Sequence, residues 1–545
     1  MRSVPLPMNN LKTRIVSEAI SLPFTADPNE AIEISKRKLK KAAGTVSDYS
    51  FAIFKRSIDA RKKDDIRFVY TVMASTDKVI DVRECESLER AGFRLCPDQS
   101  IEYIFGTERS EYRPIVVGSG PAGMFCALML AEQGYNPILI ERGDCVEKRV
   151  SAVNSFFCGE DLNVESNVMF GAGGTGTFSD GKLVTRINDP LGGYVFSRLC
   201  DFGAPREITV QAKPHIGTDL LVTVVSRLME RIKECGGSVI YNCRLDSVDE
   251  LADCVVAHTT AGDIPGSCVV LAIGHSARDT YKYLNDKGYS IIAKPFSVGV
   301  RIEHLRSDIE CALYGKHAGD PRLGAAEYAL SDTKSGRGVY TFCMCPGGEV
   351  IAASSESGGL VVNGMSRHAR DGVNSNAAVA VSVAPTDYDG TPLGAIEFQR
   401  ALERKAYSLG GGNYSAPVEL LGDFLCGKES NLSTPNRITP SYTRQMSKVA
   451  DLSKVFPDFI NDELKRGFIS FGKKIKGFDA PDAVMTAVES RTSAPVRILR
   501  TESREAYDHS RVYPCGEGAG YAGGITSAAI DGIKTALEIM KKFAP

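Results

Sequence analysis

Apolar positions in the first hundred residues follow one helical rhythm and then two strand-like ones. Ile32, Ile34 and Leu39 recur through Asn29 to Lys41 as one side of a helix that ends in the basic run KRKLKK. YSFAIF at 49–54 and IRFVYTVMA at 66–74 then read as strands, joined by the polar segment KRSIDARKKDD. Residues 1–105 therefore predict a small α+β unit, ferredoxin-like in its order of elements. The basic connection reads first as a solvated charge run; its alternative is a docking surface for an anionic group or for the main domain.

At Tyr112 the pattern changes. Arg113 and Pro114 lead into Ile115-Val116-Val117, a short buried strand that breaks into glycines. From there strands alternate with helices and Gly-rich turns, which is the α/β pattern. The longest apolar runs, such as Val269 to Ile273, have strand length, and none approaches the ~18 residues of a membrane span. Residues 354–395, rich in Ser, Gly, Asn and Pro, predict a long, partly irregular excursion of the functional-loop kind.

The strongest chemical signal is IVVGSGPAGMFCALMLAEQGYNPILIERG. The strand enters Gly118-Ser119-Gly120-Pro121-Ala122-Gly123. Gly118 permits a tight turn, Gly120 leaves no Cβ between backbone and a pyrophosphate, and Gly123 lets the next helix press on the strand. That helix, Pro121 to about Gln133, is Ala-rich, and its N-terminus offers free amides and a partial positive charge to phosphates. Gly134 ends it, and Asn136 to Glu141 forms a second strand. Glu141, eighteen residues beyond Gly123, is placed to accept from ribose hydroxyls. Strand, helix, second strand and terminal acid in order predict a Rossmann-type dinucleotide site.

Three further segments turn "dinucleotide" into FAD. Glu141-Arg142-Gly143 looks like the ERG ending of two-dinucleotide-binding-domain flavoproteins. A strand Val512 to Cys515 runs into Gly516-Glu517-Gly518, and Gly523-Gly524-Ile525 opens a C-terminal helix. In flavoproteins of the glutathione-reductase type such a turn binds the ribityl–phosphate part of FAD, and such a helix stabilises negative charge on the reduced ring. Val269 to Gly274 resembles the strand that returns the chain to that domain, and Arg244-Leu245 the place where backbone meets adenine. No second complete G-x-G-x-x-G follows, which argues against a dedicated NAD(P) domain.

Beyond these motifs, NVMFGAGGTGTFSDGKLVTR (167–186), KPHIGTD (213–219), PFSVGVRIEH (295–304), VYTFCMCPGGEV, GGGNYSAP and ESRTSAPVRI resemble a bacterial family of FAD-dependent dehydrogenases related to the HI0933-like flavoproteins. The likeness covers most of the chain. It implies an α/β fold: a Rossmann-type FAD-binding domain (ββα-sandwich, glutathione-reductase type) in two parts, 106–290 and 481–545, around an inserted α+β substrate or cap domain at 291–480. The substrate does not carry over.

Candidate chemistry follows from position. Gly174 and Thr177 belong to a glycine-dense stretch suited to pass beside the flavin and phosphates, and Lys182 behind it could polarise substrate or ring. His275 directly follows the returning strand's glycine; it and His215 are the histidines in the most suggestive settings. Arg301 and Glu303 share a face of a strand and read as a surface or salt-bridged group. Arg491 is the candidate anchor for an anionic substrate. Cys343-x-Cys345 reads as a pair of buried structural thiols, with a strained catalytic bridge as the rival.

Bulk properties narrow the partners. A formal charge of -2 gives no reason to expect nucleic acid, although the basic N-terminal unit keeps an RNA-associated flavoprotein as a rival. Fifteen cysteines without a C-x-x-C pair, and no apolar leader in MRSVPLPMNNLKTR, predict reduced thiols in a cytoplasmic setting and no metal ribbon. The expected partners are a small-molecule substrate and, as possible electron donor, NAD(P)H. The expected function is hydride transfer between an unidentified substrate and flavin N5; an NAD(P)H-dependent flavin reductase is the alternative.

Overall fold

In the computed structural model, which describes residues 13–78, 80, 82–96, 101–185, 187–430, 436–444 and 446–545, a five-stranded parallel sheet sits at the centre. Residues 1–12, read above for a leader, and Arg186, the end of the glycine-dense motif, lie outside the described residues. The sheet order is Val512–Pro514, Val269–Leu271, Ile115–Val117, Ile138–Ile140, Ser238–Ile240. The runs IVV, VVL and VYP are buried along their whole length, which is why they read as unbroken apolar stretches rather than alternating ones. Ile115 stands opposite both Val269 and Ile138, so neighbouring strands end level. The turns after Val117, Ile140, Leu271 and Pro514 therefore open at one carboxyl edge, the ligand edge of such sheets.

The fingerprint helix, Pro121–Glu132, is buried from Ala122 through Ala131, so it has no solvent face. It ends one residue before the sequence expectation, and Gly134 at φ 87° reverses the chain. Its outer side is covered by the C-terminal helix, Ile525–Lys542. The crossing is close: a Cβ on Gly532 would lie 2.0 Å from the Ala122 carbonyl oxygen. This contact ties the last turn motif of the chain to the first.

The chain leaves this body through Ile291–Ala293 and re-enters through Val496–Ile498, two strands paired antiparallel. Between them lies a seven-stranded sheet in the order Ser331–Asp332, Val339–Cys345, Asn374–Val383, Phe296–Leu305, Val484–Glu489, Ala416–Leu420, Ser447–Val449. Val484–Glu489 is fully buried and pairs with Gly299 to Glu303, so the return comes after it and not at the expected residue 481. The excursion expected over residues 354–395 is partly irregular, interrupted by the strands Val362–Met365 and Asn374–Val383. Residues 374–383 form a central strand, and its polar members serve buried charges: Asn374 donates to Glu303 at 2.9 Å, and Asn376 accepts from Arg301 at 3.0 Å. Arg301 and Glu303, read as a surface or salt-bridged group, are both fully buried, and Arg301 is salt-bridged to Glu489 at 2.7 Å.

The N-terminal unit is an antiparallel sheet ordered Ser50–Asp59, Arg67–Thr76, then Thr13–Ser17 with Ile20–Pro23, then Phe93–Leu95, with helices Asn29–Ala43 and Val82–Arg90. The strand Ser50–Asp59 takes in half of KRSIDARKKDD, the segment read as solvated. Arg56 there pairs by backbone with Val210 (2.7 Å) and Ala212 (2.8 Å), so this stretch docks on the main body.

The helix crossing yields a stability prediction. Gly532→Ala must push the two helices apart, and overpacking of this kind costs about 1–3 kcal/mol. Denaturant midpoints should fall accordingly with unchanged slope; a variant as stable as the parent would show that the crossing is not tight.

Candidate active site

A cleft opens at the carboxyl edge of the parallel sheet, and glycine backbones form its inner end. Gly118 has φ 93° and a Cβ there would strike Ala272 O at 2.4 Å, so the turn admits only glycine. Gly120 and Gly174 face one another; a Cβ on Gly174 would come within 2.9 Å of Gly120 Cα. At Gly274, Gly523 and Gly524 a Cβ would meet nothing within 4 Å, so these backbones border open space. Two helices begin at this edge, at Pro121 and Ile525, and neither has a side-chain cap or an acid in its first turn. Their free amides suit a pyrophosphate and an electron-rich ring. The cleft thus fits FAD: two uncapped helix termini and glycine backbone to hold its central pyrophosphate and the ring beyond it.

The loop under the cleft is held by two buried charges. Glu141 accepts from Ser119 N (2.9 Å), Ser119 Oγ (2.6 Å), Gly143 N (3.0 Å) and Gly171 N (3.0 Å). Arg149, fully buried on the next helix, donates to five carbonyls: Asn167, Val168, Gly171, Ala172 and Gly174, at 2.7–3.2 Å. Burial pulls its guanidinium down to about 10, with Glu141 opposing that shift. Glu141 was expected as a ribose acceptor; its four protein donors make it equally the brace of the loop. Arg149 was not foreseen. Its only sequence signal is a charged residue at an apolar helix position, among Val146, Val153 and Phe156.

Most residues expected at the cofactor line the cleft: Gly118, Ser119, Gly120, Pro121 and Ala122 at the fingerprint, then Glu141, Arg142, Gly174, Leu245 and Gly274, and Glu517, Gly524 and Ile525 from the chain's end. Three expected residues sit behind the lining. A Cβ on Gly123 would fall 1.8 Å from Gly118 O, so its role is helix packing. Thr177 is an internal brace, donating to Ala172 O at 3.4 Å and accepting from Thr218 at 2.8 Å. The Gly516 amide is bound by Asp531 at 2.8 Å, beneath Ala122.

The outer end is polar. Lys182 pairs with Asp180 at 2.8 Å and donates to Met344 O. Burial alone would lower the ammonium's pKa, but Asp180 and the thiols of Cys345 and Cys343 keep it above its usual value. Burial likewise would raise Asp180, yet Lys182 and Arg370 hold its carboxyl at about 2. His275 donates through Nε2 to Arg491 O at 3.0 Å, and burial first, then the Arg491 cation, keep its pKa at about 4, so the ring is neutral. His215 instead bonds His368 O at 3.0 Å, outside the cleft lining.

Arg491 reaches the cleft, but its fork is taken. Nε and Nη2 donate to Glu403 at 3.0 and 2.8 Å, and Nη1 to Ser355 at 2.6 Å. Glu403 also binds Arg278 at 2.7 Å, and Glu356 binds Arg278 at 2.6 Å, so two carboxylates balance two guanidiniums. Three of the five N–H donors of Arg491 are thus spent inside the protein, so its first partner is Glu403. Asn363, which nothing in the sequence singled out, lines the outer end and accepts from Arg301 at 2.7 Å.

Residues two apart on a regular strand share a face, but the strand is interrupted at Cys343 and Cys345. A bulge sets Phe342 opposite Ala378 but Cys345 opposite Asn376, and Cys343 takes a left-handed φ of 43°. Cys343 lines the cleft while Cys345 is fully buried beside it.

Comparison with known proteins agrees with this geometry. Residues 113–155 match an FAD binding domain, residues 295–492 the family "FAD-dependent protein, C-terminal domain-like", and residues 14–75 a domain of unknown function. The molecule is an FAD-dependent flavoprotein, and FAD is its cofactor. A protein of Clostridium beijerinckii described as uncharacterized is 46% identical over 531 residues, covering 94% of this chain and 96% of that one. The chain belongs to the same family as that protein. Among solved structures, CtdE in complex with FAD is 12% identical over 79% of this chain and 84% of its own, with a TM-score of 0.31. The amino acid oxidase NikD is 11% identical over 80% and 95%, with a TM-score of 0.33. Among the described residues, no helix is long and apolar enough to cross a membrane.

Two predictions come from the buried charges. Arg149→Met leaves five buried carbonyls without their donor, and should cost about 3–5 kcal/mol, the range for breaking a buried charged network. FAD retention should fall with it, and an unaltered denaturation midpoint would refute the bracing role. Glu517 is pushed up to about 7 by burial, with Lys294 opposing. Its unfolded value is lower, so the folded state binds the extra proton between pH ~4.5 and ~7. Its contribution to stability is complete below that window and lost as pH rises through it. Glu517→Gln should flatten this fall in a series of melting curves; an unchanged pH slope would mean Glu517 titrates normally.

Proposed function

We propose that this protein is an FAD-dependent oxidoreductase of the dehydrogenase type, moving a hydride between a small-molecule substrate and flavin N5. The observation that carries the reading is the polarity of one cleft: glycine backbone and two helix N-termini at its inner end, fixed charges and thiols at its outer end. Bound FAD would supply the two-electron chemistry. The chain's own groups bind, orient and keep the site dry. Met169, Phe170, Phe342 and Ile525 give the wall apolar surface that excludes water from a hydride path. Lys182 presents a fixed positive charge to a polar or anionic group on the substrate. The neutral His275 ring, its Nε2 proton committed to Arg491 O, orients the wall and leaves Nδ1 facing Ser276 at 3.3 Å. NAD(P)H is the candidate electron donor, approaching from the mouth of the cleft without a dinucleotide domain of its own. All fifteen cysteines are free thiols, which supports a reducing, cytoplasm-like compartment.

The test is anaerobic mixing of the yellow holoprotein, absorbing near ~450 nm, with small organic donors and with NADH and NADPH. One donor class should bleach the flavin, more slowly when the transferred hydrogen is deuterium. Lys182→Met should slow that step by about tenfold, equivalent to about 1.4 kcal/mol, while keeping its flavin. A flavin that no donor reduces, or one bleached without an isotope effect, contradicts the proposal.

A further inference from the structure

The bulge at Cys343–Cys345 has three features that a pair of structural thiols does not require. The first is position. Cys343 lines the outer end of the FAD cleft with Phe342 and Asn363, and Cys345 stands directly behind it. The second is spacing. Two residues of regular strand span about 6.7 Å, at the upper limit of the roughly 4.4–6.8 Å between Cα atoms that a disulfide tolerates. Here three residue steps, Phe342 to Cys345, match two on the partner strand, Ala378 to Asn376, so the chain between the thiols is shortened. The third is how the bulge is held. Arg301 donates to Cys343 O at 2.8 Å and Lys182 donates to Met344 O, so two cations grip successive carbonyls. Cys343 keeps a left-handed φ that a non-glycine residue adopts at some cost, and Cys345 Sγ donates back to Cys343 O at 3.3 Å.

We propose that Cys343 and Cys345 are a redox-active thiol pair of this site, cycling between dithiol and intramolecular disulfide by two-electron exchange with FAD. The proposal rests on the reading that the cleft's outer end is the reactive end of the cofactor. In the oxidising direction the S–H bond of Cys345 breaks and a bond forms between the two sulfurs. The Cys343 thiolate and Cys345 thiol together give up two electrons and one proton. FAD takes all three and becomes its reduced anion, so charge and atoms balance; the reverse step restores thiolate and thiol.

The electrostatics suit this division of labour. The hydrogen bond from Cys345, opposed by burial and supported by Arg301 and Lys182, holds the Cys343 thiol well below its ordinary range. Cys345 is shifted the other way, by that same bond and by burial, and stays protonated. Cys343 is thus the half-buried, cleft-lining thiol that ionises more readily, and Cys345 the proton-bearing partner. A bridge across so short a loop is strained, and strained disulfides are the more oxidising and labile ones, so the couple lies in reach of a flavin.

The pair is read by counting electrons. Air-oxidised holoprotein titrated anaerobically with dithionite should take up about four electrons per FAD, two for the flavin and two for the disulfide, and Cys343→Ser about two. Dithionite reduces the flavin whatever its natural donor, so this count is independent of the hydride-donor test above. A second readout needs no flavin: wild-type protein equilibrated with glutathione couples, then alkylated and digested. The peptide spanning Cys343 and Cys345 should carry no tags and lack two hydrogens at an oxidising poise, and carry two tags at a reducing one. Wild type that takes up about two electrons per FAD overturns the coupling to the cofactor, and a peptide tagged twice at every poise overturns the pair itself. Cys345→Ser is the third arm; if it fails to fold, Cys343→Ser and the wild-type peptide still decide the matter.

Discussion

The peptide at Gly171 is held from both sides, its N–H by Glu141 and its C=O by Arg149, and the floor of the cleft depends on that grip. A loop of such glycine content would otherwise forfeit much backbone entropy on ordering and leave buried carbonyls unpaired. The two charges solve both problems at once. Each is fully buried, which is tolerable because one accepts four hydrogen bonds and the other donates to five carbonyls. The loop can then run within van der Waals reach of Gly120, and the space left between them is backbone-lined.

The second constraint joins the chain's ends. Parallel pairing of Val512–Pro514 with Val269–Leu271, and of that strand with Ile115–Val117, brings three glycine turns to one edge. Gly532 against the Ala122 carbonyl then fixes the angle of the C-terminal helix, so its uncapped N-terminus opens into the cleft begun by the fingerprint. The inserted sheet supplies the opposite wall. Its polar groups at and behind that wall, Arg301, Glu489, Asn363 and the cysteine bulge, are held by one hydrogen-bonded network. That rigidity is what a hydride or electron-transfer geometry requires.

The parallel-sheet part was legible in the sequence because its signals are local. IVV followed by the three glycines, the acid at Glu141 and GEGAGYAGGI each report a backbone conformation that few other residues permit. The inserted domain was less legible. NSNAAVAVSV looks like a loop because its polar residues satisfy buried charges, and a pattern of polar positions cannot say whether water or Arg301 is the partner. The same holds for Arg301 and Glu303, which look like surface charges until the strands on either side are known. Arg491 was placed in the right cleft, but its pairing with Glu403, eighty-eight residues away in sequence, was not foreseen. The cysteine bulge was invisible for a related reason: strand alternation holds only in register, and one inserted residue reverses it.

The central claim is that one FAD spans the cleft from the fingerprint to the charged outer end. The most direct measurement is a crystal structure of the holoprotein. The account predicts density for the pyrophosphate against the backbone of Gly118, Gly120 and Gly174, and for the ring between the Gly523–Ile525 turn and Lys182, with Cys343 at its side. A pyrophosphate in that place with the ring turned away from Lys182 and Cys343, or density in another cavity, would contradict it.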